Sequence, residues 1–262
     1  MANPVASSLV RLVRFRQGSR IATGVVEGDF VRPLRGTFFE DPVPTGEDVP
    51  FHQVRLLAPV IPSKVVAIGK NYLEHAEEMG SAVPEEPIIF LKPSTSVIGP
   101  DDPIPYPQIA ERVDHEAELA IVVGRLARRV PAEEAGKFIL GYTCGNDVTA
   151  RDLQLKDGQW SRAKGFDGFC PLGPWVETQL DPTDVEVLCR VNGEVRQNAR
   201  TSQLAFGPAT LVEFISQVMT LLPGDVILTG TPAGVSPVHP GDKIEVEVEG
   251  IGILTNEVVK GD

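Results

Sequence analysis

The sequence predicts an α+β fold rich in β-strand, and three observations carry that prediction. Short apolar or alternating runs bounded by turn signals recur along all 262 residues. Helical periodicity is confined to a few brief stretches. The strands do not alternate regularly with long helices, which disfavours a doubly wound parallel sheet.

Taken in order, residues 9 to 57 read as short strands and turns (LVRLVRF, RIATGVVEGDFVRPL) closing on the Pro/Gly-rich loop EDPVPTGEDVP. APVIPSK, 58 to 64, reads as a joint, so the expected division is a small N-terminal β segment, 1–57, and a main catalytic domain, 58–262. VVAIG is a short buried strand. NYLEHAEEMG reads as a helix with Asn71 as candidate N-cap and Gly80 as its stop. PIIFLKPS is strand-like, PAEEAGKFI is a short helix with acids in its first turn, and GYTCGND is a strand ending in polar residues. CRVNGEVR carries an Asn-Gly hairpin signal, PATLVEFISQVMTLL has helical spacing, and PGDVILTGTPAGV and PGDKIEVEVEGIGILTNEVV read as turn-bounded strands.

A net charge of −12 without a Lys/Arg run argues against a nucleic-acid partner, because phosphate binding needs a basic surface. Small anionic substrates stay open, since these need only a local cation. No 18-residue apolar span is present, and arginines interrupt the apolar stretch of MANPVASSLVRLVRFRQG, so no membrane partner and a cytoplasmic location are expected. Cys144, Cys170 and Cys189 form no CxxC, which disfavours a disulfide framework or thiolate zinc site. The absence of a P-loop, GxGxxG or GxSxG lowers the nucleotide-binding and serine-hydrolase readings.

The chemistry concentrates in VDHEAELAIVVG, 113 to 124. Glu116 and Glu118 stand two apart, so on a strand they face the same way at about 7 Å. KIEVEVEG is an internal control: there Glu245, Glu247 and Glu249 alternate with apolar residues, as on a sheet with one wet face. After Glu118, by contrast, LAIVV does not alternate, which implies a strand covered on both sides. Two carboxylates at that distance repel by roughly 2 kcal/mol at an effective dielectric of about 20. A surface pair, a shared proton, an arginine clamp and a metal ion each remain open from spacing alone. Asp147, at the polar end of GYTCGND, is a candidate third oxygen ligand, and such a set suits Mg²⁺, Mn²⁺ or Ca²⁺ better than zinc.

HEAELA, NDVTARDLQ, DGQWSRAKGFDGFCPLGPW, VNGEVRQ and LLPGDVILTGTPAGV, in that order, resemble the fumarylacetoacetate hydrolase family, in its short prokaryotic members. The resemblance covers roughly 60 to 260. It implies a mixed β-sandwich roll, usually a homodimer, with a divalent ion (Mg²⁺ or Mn²⁺, with Ca²⁺ able to substitute) on Glu116, Glu118 and Asp147. It implies substrate-facing or metal-ordering roles for Arg151, Gln154, Lys164 and Thr231. GKNYLEHAEEMG resembles the family's lid, whose histidine and glutamate are here His75 and Glu78, one turn apart on one helical face. The implied catalytic set is therefore His75, Glu78 and Lys164.

The activity implied is enolate stabilisation on a small anionic 2-oxo acid. That covers decarboxylation, for example of oxaloacetate, or isomerisation of 2-hydroxyhepta-2,4-diene-1,7-dioate in aromatic catabolism. Acylpyruvate or fumarylpyruvate hydrolysis is the alternative, and a catalytically silent, metal-stabilised binding protein is a reading from another class. Lys70 departs from the arginine of many relatives.

Overall fold

Left-handed glycines and alternating apolar residues shape the first three strands. Arg11–Gln17, Arg20–Glu27 and Phe30–Arg35 form an antiparallel meander, turned at Gly18 and Gly28, both at φ +58°. A side chain at either position would be strained at that φ. The structure is a computed structural model that describes residues 10–40, 42–78, 80, 82 and 84–261. The start of the expected N-terminal segment and Met79 of the expected helix lie outside the described residues.

The meander continues into a large mixed sheet. From it the order runs through Cys170–Glu177, Ile139–Asn146, Ala117–Val123, Val226–Leu228 and Val65–Gly69 to Ile88–Lys92. Val226–Leu228 pairs antiparallel to Ala117–Val123 and parallel to Val65–Gly69. A second sheet, ordered Ile104–Tyr106, Gly252–Lys260, Lys243–Val248, Glu186–Val191 and Glu194–Arg200, packs on one face of the first. The result is the strand-rich α+β mixed sandwich the sequence predicts.

Ala117–Val123 is buried at every position. Leu119, Ile121 and Val123 meet Val187, Cys189, Val246 and Leu254 in the core between the sheets. Ala120 and Val122 point the other way, into a second core with Leu12, Val65, Leu172 and Leu228. The expectation of a strand covered on both faces holds. Lys243–Val248 behaves as its control: Ile244, Val246 and Val248 are buried, whereas Glu245 and Glu247 are half-buried beside Lys243 and Arg190.

Helix α1 spans Leu73–Glu78, and the chain leaves it through Gly80 at φ +69°. Asn71 does not act as the expected cap. Its amide is spent elsewhere, donating to the carbonyls of Phe206 and Thr229 and accepting from the Phe206 N–H, which ties the start of α1 to the loop after Leu228. Two short helices that the sequence reading did not anticipate follow the aspartate strand, α2 at Arg151–Asp157 and α3 at Ser161–Lys164; Gly158 at φ +68° ends α2. The PAEEAGKFI helix is a 3₁₀ turn at Ala132–Lys137. Helix α4, Pro208–Val218, stops short of the predicted MTLL because Leu221 leaves to bridge with Ala127. The Asn-Gly hairpin forms as expected, with Asn192 and Gly193 both at positive φ. Among the described residues no helix is long and apolar enough to cross a membrane, and all three cysteines are buried free thiols.

Candidate metal centre

Strand register brings the three carboxylates together. Ala117 pairs with Asn146 and Glu118 with Gly145, so the next step along the ladder sets Glu116 beside Asp147. There the Asp147 N–H donates to the Glu116 carbonyl at 2.8 Å, and the Glu116 N–H donates to Asn146 Oδ1 at 3.0 Å. Ligand oxygens of Glu116, Glu118 and Asp147 lie within 4.8 Å of one another, and the residues are only 4 %, 1 % and 1 % exposed. Burying three like charges this closely is unfavourable unless cations answer them.

Three cations do so, unevenly. Lys164 Nζ donates to Glu116 Oε2 at 2.8 Å and to Asp147. Lys92 Nζ donates to Asp147 Oδ1 at 2.5 Å and to the Val148 carbonyl at 3.3 Å. Arg151 donates to Glu116 Oε1 at 2.5 Å, to Asp114 Oδ2 at 2.8 Å and to Gln154 Oε1 at 2.6 Å. Glu118 receives one hydrogen bond, from the Gly230 N–H at 2.6 Å, and among the described residues no Lys or Arg forms an ion pair with it.

Electrostatics divides the glutamates accordingly. Burial alone would raise the Glu116 carboxyl, but Lys164 and Arg151 outweigh it and hold the group below the usual carboxylate range. Burial, reinforced by the charges of Asp147 and Glu116, pushes Glu118 well above that range. For Lys164, burial is opposed and overcome by Asp147 and Glu116, so the ammonium is held charged. A second group is also unsatisfied: the Tyr72 hydroxyl is buried without a hydrogen-bond partner, its acidity suppressed by burial and then by the charge of Glu118. A hard-oxygen donor set, a buried carboxylate without a cation and an orphaned hydroxyl under its influence together fit a divalent ion with bound water.

Eight of the nine residues singled out from sequence line one cavity of about 210 Å³: His75, Glu116, Glu118, Asp147, Arg151, Gln154, Lys164 and Thr231. The ninth, Glu78, accepts from His75 Nδ1 at 3.0 Å and from the Gly234 N–H at 3.1 Å, tying α1 to the loop that carries Thr231. With Nδ1–H engaged by a carboxylate, the lone pair of a neutral His75 is on Nε2. His75 is itself only 6 % exposed.

Thr231 lines the cavity with its hydroxyl hydrogen committed to the protein, and Arg151 lines it with three of its N–H groups spent on Asp114, Gln154 and Glu116. Thr231 Oγ1 donates to the Ala117 carbonyl at 2.9 Å and accepts from Gln197 Nε2 at 2.7 Å. The Gln197 orientation is fixed by backbone groups, since its oxygen accepts from the Ala117 N–H and its nitrogen donates to the Pro232 carbonyl. His115 Nδ1 must therefore donate to that same oxygen, at 3.0 Å, leaving Nε2 to accept from Ser236. Thr231 thus offers the cavity an acceptor.

Sequence reasoning missed Lys92, Asp114 and Gln197. A lysine inside the apolar run PIIFLKPS was the available signal for the first. The spacing of Asp114, Glu116 and Glu118 at every second residue was the signal for the second. Gln197 closes the motif VNGEVRQ, the signal available for it, but its place at the site comes from the tertiary fold.

Comparison with known proteins agrees with these elements. The family description "Fumarylacetoacetate (FAA) hydrolase C-terminal" matches residues 64–259, and "Rv2993c-like, N-terminal" matches residues 10–59. A solved structure of a 5-carboxymethyl-2-hydroxymuconate delta-isomerase from Mycobacterium smegmatis is 55 % identical, with a TM-score of 0.91, over 95 % of this chain and 99 % of its own. A 2-hydroxyhepta-2,4-diene-1,7-dioate isomerase from Mycobacterium marinum is 49 % identical, with a TM-score of 0.90, over 96 % and 98 %. The mitochondrial oxaloacetate tautomerase Fahd2a of Rattus norvegicus is 43 % identical over 80 % of this chain and 71 % of its own. With the fold, the carboxylate cluster and these matches in agreement, the chain belongs to the fumarylacetoacetate hydrolase family.

Proposed function

We propose that this chain is a divalent-metal-dependent isomerase that moves a proton on small 2-oxo acids through an enolate. The observation that carries the reading is the single cavity, in which a buried carboxylate cluster and the Nε2 face of His75 meet. The isomerase and tautomerase names of its relatives favour proton transfer over carbon–carbon cleavage. Glu116, Glu118 and Asp147 would hold a divalent ion, which would supply Lewis acidity toward a 2-oxo acid.

His75 Nε2 is the base that takes a proton from the carbon next to the 2-oxo group and returns it to oxygen or to a conjugated carbon. Glu78 holds the imidazole in the required tautomer and balances the imidazolium. Lys164 donates to both Glu116 and Asp147 and holds the Glu116 carboxylate ionised while negative charge builds on the substrate oxygen. Arg151 orients Glu116 and Gln154, and the Thr231 lone pair is available to an enol hydroxyl. We assign residues 1–57 to a small N-terminal β segment and 58–262 to the catalytic domain, in a cytoplasmic homodimer.

The test is turnover of oxaloacetate and of 2-hydroxyhepta-2,4-diene-1,7-dioate with Mg²⁺ or Mn²⁺, followed by ultraviolet absorbance, with pyruvate release read in parallel. The reading expects isomerisation that EDTA abolishes. Glu116→Ala and Asp147→Ala should be inactive, and His75→Ala should keep its metal affinity while losing about 10²–10⁴ in rate. EDTA-sensitive activity surviving in Glu116→Ala or Asp147→Ala would sink the ligand assignment. Pyruvate release as the main outcome would make the enzyme a decarboxylase.

A further inference from the structure

The cavity is lined by three Lys or Arg side chains, and two of them are held in ion pairs: Lys164 with Glu116 and Asp147, and Arg151 with Glu116 and Asp114. Lys92 behind them is committed to Asp147. The third cation of the lining is Lys70. Among the described residues it has no ion pair or hydrogen bond, although it is half-buried in a protein of net charge −12.

Its backbone is unusual as well. Lys70 sits at φ +57°, the left-handed region that a lysine rarely adopts. The preceding Gly69 is required by close packing, because a Cβ there would come within 2.5 Å of Trp160 Cζ3. The turn from the strand Val65–Gly69 into α1 therefore holds this lysine at the cavity's half-exposed edge, while the carboxylate cluster lies at 1–4 % exposure. The same cavity has an apolar lining from Ile68, Phe90, Leu155 and Trp160, and the rings of Phe90 and Trp160 stack edge-on at 5.1 Å.

We propose that Lys70 is the specificity residue that receives the distal carboxylate of a dicarboxylic substrate. A deep end for the 2-oxo acid head, an apolar wall for the carbon chain and an uncommitted cation at the edge match a 2-oxo diacid, with charge at both ends and carbon between. A monocarboxylic 2-oxo acid leaves Lys70 unanswered. The cavity, at about 210 Å³, falls below the roughly 300–1,000 Å³ of sites for drug-sized ligands and suits a short chain. The inference rests on reading the cavity as a 2-oxo acid site.

The test is calorimetric titration of the Mg²⁺-loaded full chain with 2-oxoglutarate and with pyruvate, in wild type, Lys70→Asn and Lys70→Arg. Asparagine tolerates the left-handed backbone, so the neutral variant removes charge without adding strain. Wild type should prefer the diacid by about 10-fold or more, as expected for one charge-assisted contact. Lys70→Asn should bring the ratio of the two affinities close to one, and Lys70→Arg should recover most of it. A ratio unchanged in Lys70→Asn, or equal affinities in wild type, overturns the role of Lys70 and leaves the 2-oxo acid reading standing. Wild-type protein that binds neither acid overturns both.

Discussion

Lys92 carries its charge at 1 % exposure and has Asp147 as its acidic partner. Truncating it to an apolar side chain of similar length leaves Asp147 with Lys164 alone in a dry environment. Lys92→Met should therefore cost about 3 kcal/mol, seen as a lower urea midpoint with an unchanged slope. A stability within 0.5 kcal/mol of wild type, an order-of-magnitude threshold for surface changes, would mean that Lys164 compensates Asp147 without help. Legibility at this scale followed local contrast. Glu116 and Glu118 stood out against LAIVV, and Asp147 against the strand before it. Lys92 and Asp114 left weaker marks. Gln197 stood only as the last residue of VNGEVRQ, with no sign of its role, because its partners Ala117, Thr231 and Pro232 come from distant segments. The expected cap at Asn71 failed for a related reason: its amide found long-range backbone partners that a sequence window does not contain.

At the scale of elements, the strand Ala117–Val123 and the strand Lys243–Val248 share an acidic, apolar vocabulary and do opposite jobs. The first is buried on both faces and delivers two carboxylates at its entry; the second keeps one wet face for its glutamates. Ile121→Ala should cost about 2–5 kcal/mol, because it opens a cavity between the two sheets. Glu245→Ala should change stability by less than about 0.5 kcal/mol, since it removes only a partly solvated pair. Chemical denaturation of both variants checks the contrast, and equal effects would contradict the distinction between a core strand and a surface strand. Periodicity made these strands, the hairpin at Asn192 and the core of α4 readable. It did not reveal α2 and α3. These are only seven and four residues long, too short for a repeat to register, and the ion pairs of Arg151 and Lys164 fix where their side chains point.

For the whole molecule, the sheets form a stable frame whose register gathers charges of one sign. α1, the loop after Leu228 and α2 with α3 close around them. The central claim is that this frame accepts a local electrostatic penalty at Glu118 because a divalent ion relieves it. A protein that stores repulsion for a ligand should gain stability when the repulsion is removed and lose the ligand by the same change. Thermal unfolding of wild type and Glu118→Gln, each stripped with EDTA and then titrated with Mn²⁺, measures this directly. The account predicts that wild type rises with Mn²⁺, by the equivalent of about 2.7 kcal/mol at 100 times the dissociation constant. It predicts that stripped Glu118→Gln unfolds about 2–4 °C above stripped wild type and does not respond to the metal. A wild-type midpoint indifferent to Mn²⁺, or a Glu118→Gln variant that still rises with it, would contradict the account.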